Sequence, residues 1–345
     1  MIGLGVRRNG ATCSFRNADG QAVLVSGREE HMHNKTLAIL LIATVTIGLT
    51  GTSQAQTPVP VTPAPAATPA PAAAPAAPLF ATTKVEGTDN VYVFRYQNHQ
   101  AMFVVTPAGV IATDPISYGR PQAAKTYIEE IQKITKAPIK YLIYSHHHYD
   151  HIAGGKPFKD AGARIIAHKR AKERLVALKG LDVVIPDETV TGKRTIKLGG
   201  TTLELIDTGK NHSDSSLVMF LPKEKIIFAV DFNSLGAVPS RLAVNDSYPI
   251  EWEASLKKTL ALDWDRQIPG HPGPNGRLGT KKDMEQQLTF MTDLSTEVKK
   301  ASDAGKCFDP AVKDVRLPQH ATLQGYEANI EWNIHRWCGY WGRGI

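Results

Sequence analysis

Three patterns divide the chain. Residues 36–49 are uncharged and largely apolar, residues 57–78 interleave proline with small residues, and from residue 79 onward apolar positions recur at strand and helix spacing. Within that last part, short apolar or alternating runs bounded by turn residues predict strands over 90–96, 101–106 and 109–113. Residues 120–135 set Ala123, Ile128, Ile131 and Ile134 among charged neighbours at helical spacing. The largely apolar run at 139–144 predicts a buried strand and 164–167 another, with a helix over 169–178. Further strands are expected near 195–198, 202–206, 217–221 and 225–230, and helices over 250–262, 281–304 and 326–337. Helices alternate with strands while hairpins also occur, so the expected class is α/β with mixed sheets.

The first apolar stretch reads as an address rather than as structure. Lys35 precedes it and Ser53, Gln54 and Ala55 follow it, a small-x-small pattern before Gln56. This layout predicts a secretory signal peptide over 32–55, cleaved near Ala55, and a periplasmic or secreted bacterial-envelope protein. The stretch is shorter than the ~20 residues a spanning helix needs, so no permanent membrane span is expected. Met32 opens a good charged n-region, which makes residues 1–31 an expected over-extended start. Eight prolines in 57–78 exclude helix and sheet ladders and predict a linker over 56–78. Fully extended it would reach roughly 70 Å at about 3.1 Å per residue. The folded domain is expected over 79–345, with a C-terminal helical extension.

Charge changes this picture little. The chain carries a formal +7, and without residues 1–55, which hold five Lys/Arg and three Asp/Glu, 35 basic and 30 acidic residues remain. The surplus is dispersed and no dense basic run occurs, so nucleic acid is excluded as a partner and a small-molecule substrate is expected. Nothing in the sequence specifies an oligomeric state. Cys13, Cys307 and Cys338 form no C-x-x-C pair, which excludes zinc-ribbon and thioredoxin-type sites. Cys307 and Cys338 either pair in an oxidising compartment or stay as thiols.

The candidate chemistry begins where the 139–144 run ends, at His146-His147-His148-Tyr149-Asp150-His151. Three imidazoles and a carboxylate at H-x-H-x-D-H spacing crowd one short loop, and such a set calls for a cation between its members. His212 follows the 202–206 strand, Asp231 ends the 225–230 strand, and His271 follows the strand-like run 267–270. All lie just past strand C-termini, the rim where open α/β sheets place their sites. His147 points away from its neighbours by alternation, and Tyr149 is expected to pack. His99, His168, His320 and His335 have no spacing partner and read as ordinary histidines. Trp332, Trp337, Tyr340 and Trp341 read as core packing.

In these motifs the chain resembles the metallo-β-lactamase superfamily over roughly residues 85–290. The resemblance implies a four-layer αβ/βα sandwich, two mixed sheets between outer helices. It implies two Zn²⁺ per chain, the first on His146, His148 and His212, the second on Asp150, His151 and His271, with Asp231 bridging. Asp114 matches the early structural aspartate. Two zinc ions acidify bound water toward a pKa of ~7 and polarise the substrate oxygen; Asp150 is the candidate for orienting that water or carrying its proton. Family members that destroy β-lactams typically carry cysteine or serine where Asp231 stands. The expected reaction is therefore hydrolysis of a small ester, lactone or related carbonyl compound. The alternatives are a β-lactamase proper and a mononuclear-iron persulfide dioxygenase.

Overall fold

The computed structural model describes residues 78–178 and 183–345, with the backbone alone of 14–16 and 22–24. The expected signal peptide (32–55) and nearly all of the expected linker (56–77) lie outside the described residues. The unit Met1–Ala72 contributes one antiparallel pair, β1 (Ser14–Arg16) with β2 (Ala22–Leu24), placed before Met32. Among the described residues no helix is long and apolar enough to cross a membrane.

The unit Ala73–Ile345 is built on two sheets. The seven-stranded sheet runs in chain order through β3 (Phe80–Lys84), β4 (Val91–Tyr96), β5 (His99–Thr106), β6 (Gly109–Thr113), β7 (Ile139–Ile143), β8 (Arg164–His168) and β9 (Glu188–Val190). Its first four strands form an antiparallel meander; β6 to β9 pair in parallel. The parallel steps need crossovers, supplied by α1 (Ala123–Ile134), by the short α2 (Tyr149–Ile152) and α3 (Lys156–Asp160), and by α4 (Lys169–Leu178). The five-stranded sheet orders β10 (Lys193–Leu198), β11 (Thr201–Ile206), β12 (Val218–Leu221), β13 (Ile226–Phe228) and β14 (Arg266–Ile268), antiparallel except for the parallel β13–β14 pair. After it come α5 (Arg241–Val244), α6 (Pro249–Leu260), α7 (Lys281–Asp303), α8 (Asp309–Asp314) and α9 (Tyr326–Arg343), with α5 and α6 inserted before β14.

Strand alternation sorts the core into layers. Val91, Val93, Met102 and Val104 of the first sheet face Leu203, Leu205, Met219, Leu221, Ile226 and Phe228 of the second, forming the central core. The intervening residues Phe94, Ala101 and Phe103 turn outward onto Tyr127 and Ile131 of α1 and Ala171 and Leu175 of α4. On the other sheet Val218, Phe220 and Ile227 turn outward onto Trp252, Leu256, Phe290, Leu294 and Trp337. The result is helix, sheet, sheet, helix: the four-layer αβ/βα sandwich. Where both faces of a strand are fully covered, as in β12 and β13, the sequence reads as a continuous apolar run, whereas β11, half-buried on one face, alternates.

Two details differ from the sequence reading. The last helix continues past residue 337 to Arg343, because Gly344 in the left-handed region (φ 72°) is what stops it. Trp332 does not pack in the core; it is 39% exposed and lies under the Arg241 guanidinium, 5.0 Å from the ring centroid. Trp337 is fully buried and Trp341 donates its indole N–H to Ser295 Oγ at 3.0 Å, as packing requires. Cys307 and Cys338 are free thiols, and the buried Cys338 sulfur accepts the Phe308 N–H at 3.1 Å.

Candidate metal centre

The site sits on one rim of the sandwich, where β6, β7, β11, β13 and β14 end. Asp114, just after β6, is fully buried, with an unusual positive φ of 23°. Its Oδ1 accepts the Ser145 N–H at 2.8 Å, fixing the chain as it leaves β7 for the histidine loop. Burial pushes the Asp114 carboxyl up to about 6, with His151 and Ser145 pulling the other way. The loop then closes into the single turn of α2, which carries Asp150 and His151. Arg120 pins that turn, donating from Nη2 to the Asp150 carbonyl at 2.7 Å and from Nε to the Ile116 carbonyl at 2.8 Å.

Three later segments come to the same point. Asp231 adopts a left-handed backbone (φ 58°), a conformation Asp tolerates better than most residues. Its carboxylate stands among four imidazoles: Oδ2 lies 3.1 Å from His151 Nε2, 3.5 Å from His212 Nε2 and 4.0 Å from His146 Nε2, and Oδ1 lies 3.5 Å from His271 Nε2. Asp150 Oδ2 is 3.4 Å from His151 Nε2 and 3.9 Å from His271 Nε2. His146, His148 and His212 form one group whose donor atoms all lie within 4.8 Å of one another. Asp150, His151 and His271 belong to a second, and His146, His151 and Asp231 link the two. All seven residues singled out in the sequence therefore stand together.

Two features show that these groups suit a cation. His212 Nδ1 donates to the Ala243 carbonyl at 2.8 Å, leaving a lone pair on Nε2 of the neutral ring. His148 Nε2 faces the Asp246 carboxylate at 2.9 Å, leaving its own lone pair on Nδ1, only 2.9 Å from His212 Nε2. Two lone pairs so placed repel unless something positive lies between them. His146 Nε2 is buried with no hydrogen-bond partner, an unpaired polar atom in the same group. Imidazole and carboxylate together are the donor set of zinc sites.

The charges point the same way. Burial opposes a charge on His151, yet the Asp231 and Asp150 carboxylates push it up to about 9. Burial also works against the charged form of Asp231, but His151 and His271 hold it well below the usual carboxylate range. His146 is held well below the ordinary imidazole value, by burial and then by His148.

Three neighbours had no sequence signal. His99, read as ordinary, opens β5 and brings Nε2 to 3.1 Å from Asp150 Oδ2, with its ring 4.3 Å from that of His271. Asp246 reaches His148 from the loop before α6. Asn233, two residues after Asp231, is buried with neither side-chain oxygen nor nitrogen partnered, and it lines the cleft. Among the described residues, three other histidines lie elsewhere: His168 binds Asp207 at 3.0 Å, His320 binds Asp293 at 2.7 Å, and His335 lies 3.9 Å from Asp309. His147 turns its Nδ1 to the hydroxyls of Ser213 and Ser215, each at 2.9 Å. The centre opens into a cleft of about 1130 Å³ walled in part by Tyr118, Tyr149, Leu235, Val238 and Leu242.

Comparison with known proteins agrees with this architecture. The family model described as the metallo-beta-lactamase superfamily matches residues 102–271. The α subunit of a 2,4-dinitroanisole O-demethylase from Nocardioides sp. is 30% identical over 166 residues, covering 47% of this chain and 49% of its own. A linear primary-alkylsulfatase from Pseudomonas sp. is 23% identical over 273 residues, covering 65% of this chain and 50% of its own. The chain thus spans about half the length of these relatives. In structure, a metallo-beta-lactamase from Pontibacter korlensis superposes with a TM-score of 0.55 at 18% identity, over 62% of this chain and 99% of that one.

Proposed function

We propose, for a chain that belongs to the metallo-β-lactamase superfamily, that it is an exported, dinuclear zinc hydrolase of small esters, lactones or related carbonyl compounds. The observation that carries the reading is the Asp231 carboxylate ringed by His146, His151, His212 and His271 at 3.1–4.0 Å. His146, His148 and His212 would hold one ion, and Asp150, His151 and His271 the other, with Asp231 shared. Zinc held there supplies a Lewis acid and a water acidified toward a pKa of ~7. Export follows from the leader read over 32–55.

The protein's own groups do the rest. Asp150, with its side chain 37% exposed at the cleft, is positioned to orient the attacking water and receive its proton. Asn233, whose buried amide has no protein partner, lines the cleft and is a candidate donor to a substrate oxygen. Leu235, Val238 and Leu242 offer an apolar wall to the hydrocarbon part of a substrate. Asp246, through its 2.9 Å contact with His148 Nε2, fixes the tautomer of that ring.

The test is a panel of a lactone, a thioester, a β-lactam, an alkyl sulfate and a phosphodiester, offered to protein stripped of metal and then reloaded with zinc. Ester or lactone turnover that appears on reloading supports the reading. Turnover of none of the five, or turnover indifferent to zinc, refutes it. One observation favours a second reading, hydrolysis of a sulfate ester: the alkylsulfatase likeness reaches over 65% of this chain, against 47% for the O-demethylase subunit. The alkyl sulfate in the panel decides between them.

A further inference from the structure

We propose that His99 is a ligand of the second metal ion, an eighth protein group in the centre beyond the seven that the sequence motifs supply. The inference rests on the metal-centre reading above. His99 lies outside every motif, at the start of β5 on the hairpin between β4 and β5, a part of the chain remote from the histidine loop. Its side chain is 7% exposed, and its ring packs against two of the groups assigned to that ion, with centroids 4.3 Å from His271 and 5.3 Å from His151.

The donor atoms are spaced as ligands are. His99 Nε2 lies 3.1 Å from Asp150 Oδ2, which itself lies 3.4 Å from His151 Nε2 and 3.9 Å from His271 Nε2. The four residues His99, Asp150, His151 and His271 form one group with all donor atoms within 4.8 Å of one another. Ligands about 2.0–2.2 Å from a five-coordinate zinc ion stand roughly 2.8–3.1 Å apart at right angles and roughly 3.5–3.8 Å apart at 120°, and the 3.1 Å between His99 Nε2 and Asp150 Oδ2 fits the first spacing.

The hydrogen bonds orient the ring for coordination. A ring proton on Nδ1, 3.0 Å from the accepting Asn98 Oδ1, gives the tautomer a ligand needs; the other tautomer, with Nε2–H on Asp150, is the rival reading. The lone pair of the neutral ring is then on Nε2, facing a carboxylate oxygen that is also an acceptor. Two acceptors at 3.1 Å need a cation between them. His271 is presented in the same way, its Nδ1 donating to the Asn98 backbone carbonyl at 2.8 Å, so one residue, Asn98, aims two imidazoles at the same point. This is the arrangement by which proteins fix the tautomer of metal-bound histidines. With Asp231 shared, the second ion would have five protein donors against four at the first.

The rival is a simple hydrogen bond, His99 Nε2–H to Asp150, which would make His99 a positioning residue. Cadmium-113 loaded into the full chain, grown with nitrogen-15 histidine, separates the two, because the large one-bond cadmium–nitrogen coupling arises only where the nitrogen is bonded to the metal, and one such nitrogen is counted per ligand ring. The expected result is six coupled imidazole nitrogens, with one lost in His99→Gln, a variant that keeps a hydrogen-bond donor for Asp150. Five coupled nitrogens, none of them lost in His99→Gln, would overturn this inference and leave the metal-centre reading intact. A chain that takes up no cadmium would overturn both. The count in the unaltered protein decides the matter even if the variant does not fold.

Discussion

Gly270 is where the centre has least room, and adding one methyl group there has a calculable effect. A Cβ on Gly270 would lie 2.5 Å from Val230 Cγ1, 2.9 Å from Asp231 Oδ1 and 2.9 Å from His151 Cε1. Ordinary contact begins near 3.4 Å, so the shortfalls are about 0.9 Å against Val230 and about 0.5 Å against the other two. The backbone cannot easily retreat, because Gln100 holds it on both sides: its N–H donates to the Gly270 carbonyl at 2.7 Å and its Nε2 to the Pro269 carbonyl at 3.0 Å. Asp231 and His151 must therefore give way. Overpacking of this size costs about 1–3 kcal/mol. For a domain of this length that lowers the Tm of Gly270→Ala by about 2–4 °C per kcal/mol, roughly 2–12 °C in all. Since two of the displaced side chains are proposed ligands, zinc affinity should fall at least about tenfold, equivalent to ~1.4 kcal/mol. Scanning calorimetry on metal-free protein reads the first effect, and competition with a chromogenic chelator reads the second. A Gly270→Ala protein that matches its parent in both would show that the close approach of Gly270 to the ligands has no energetic content.

Two further outcomes follow from buried polar groups. Asn233→Leu removes a buried, unpartnered amide and should raise metal-free stability by about 1–3 kcal/mol, measured by urea unfolding, while lowering kcat/KM on any substrate the panel identifies; a variant that is less stable and fully active would contradict the role given to Asn233. Asp207 is held below its ordinary value of 3.8 by the His168 hydrogen bond, against burial. A carboxylate depressed in the folded state contributes stability that is complete above the unfolded value and is lost as pH falls through it and below. Asp207→Asn should therefore flatten the fall in stability below about pH 4, and an acid limb unchanged in the variant would refute the linkage.

The fold was legible where a strand is covered on both faces and so carries an apolar run, as in 226–230. Strands of three residues with mixed composition, such as Glu188–Val190, and one-turn helices such as Arg241–Val244 gave no periodicity to read, being set by tertiary contact. At the site, the residues that share a short motif or end a recognisable strand could be found from their order along the chain. His99, Asp246 and Asn233 could not. His99 lies 51 positions from Asp150 and Asp246 lies 98 from His148, and each reaches the centre only because a hairpin or a loop folds across the rim. Asn233 is one unremarkable amide in sequence; what marks it is the absence of a partner, which only the packed structure reveals. Trp332 shows the converse, an aromatic residue whose composition suggests the core and whose position on α9 leaves it outside.

The central claim is that these imidazoles and carboxylates gather around two divalent ions. Elemental analysis of the purified full chain, beside Asp231→Ala prepared in the same way, tests it most directly. The expected content is about two zinc ions per chain, falling to about one or fewer when the shared carboxylate is removed. A chain free of divalent metal after exposure to zinc, or equal content in the two proteins, would contradict the account.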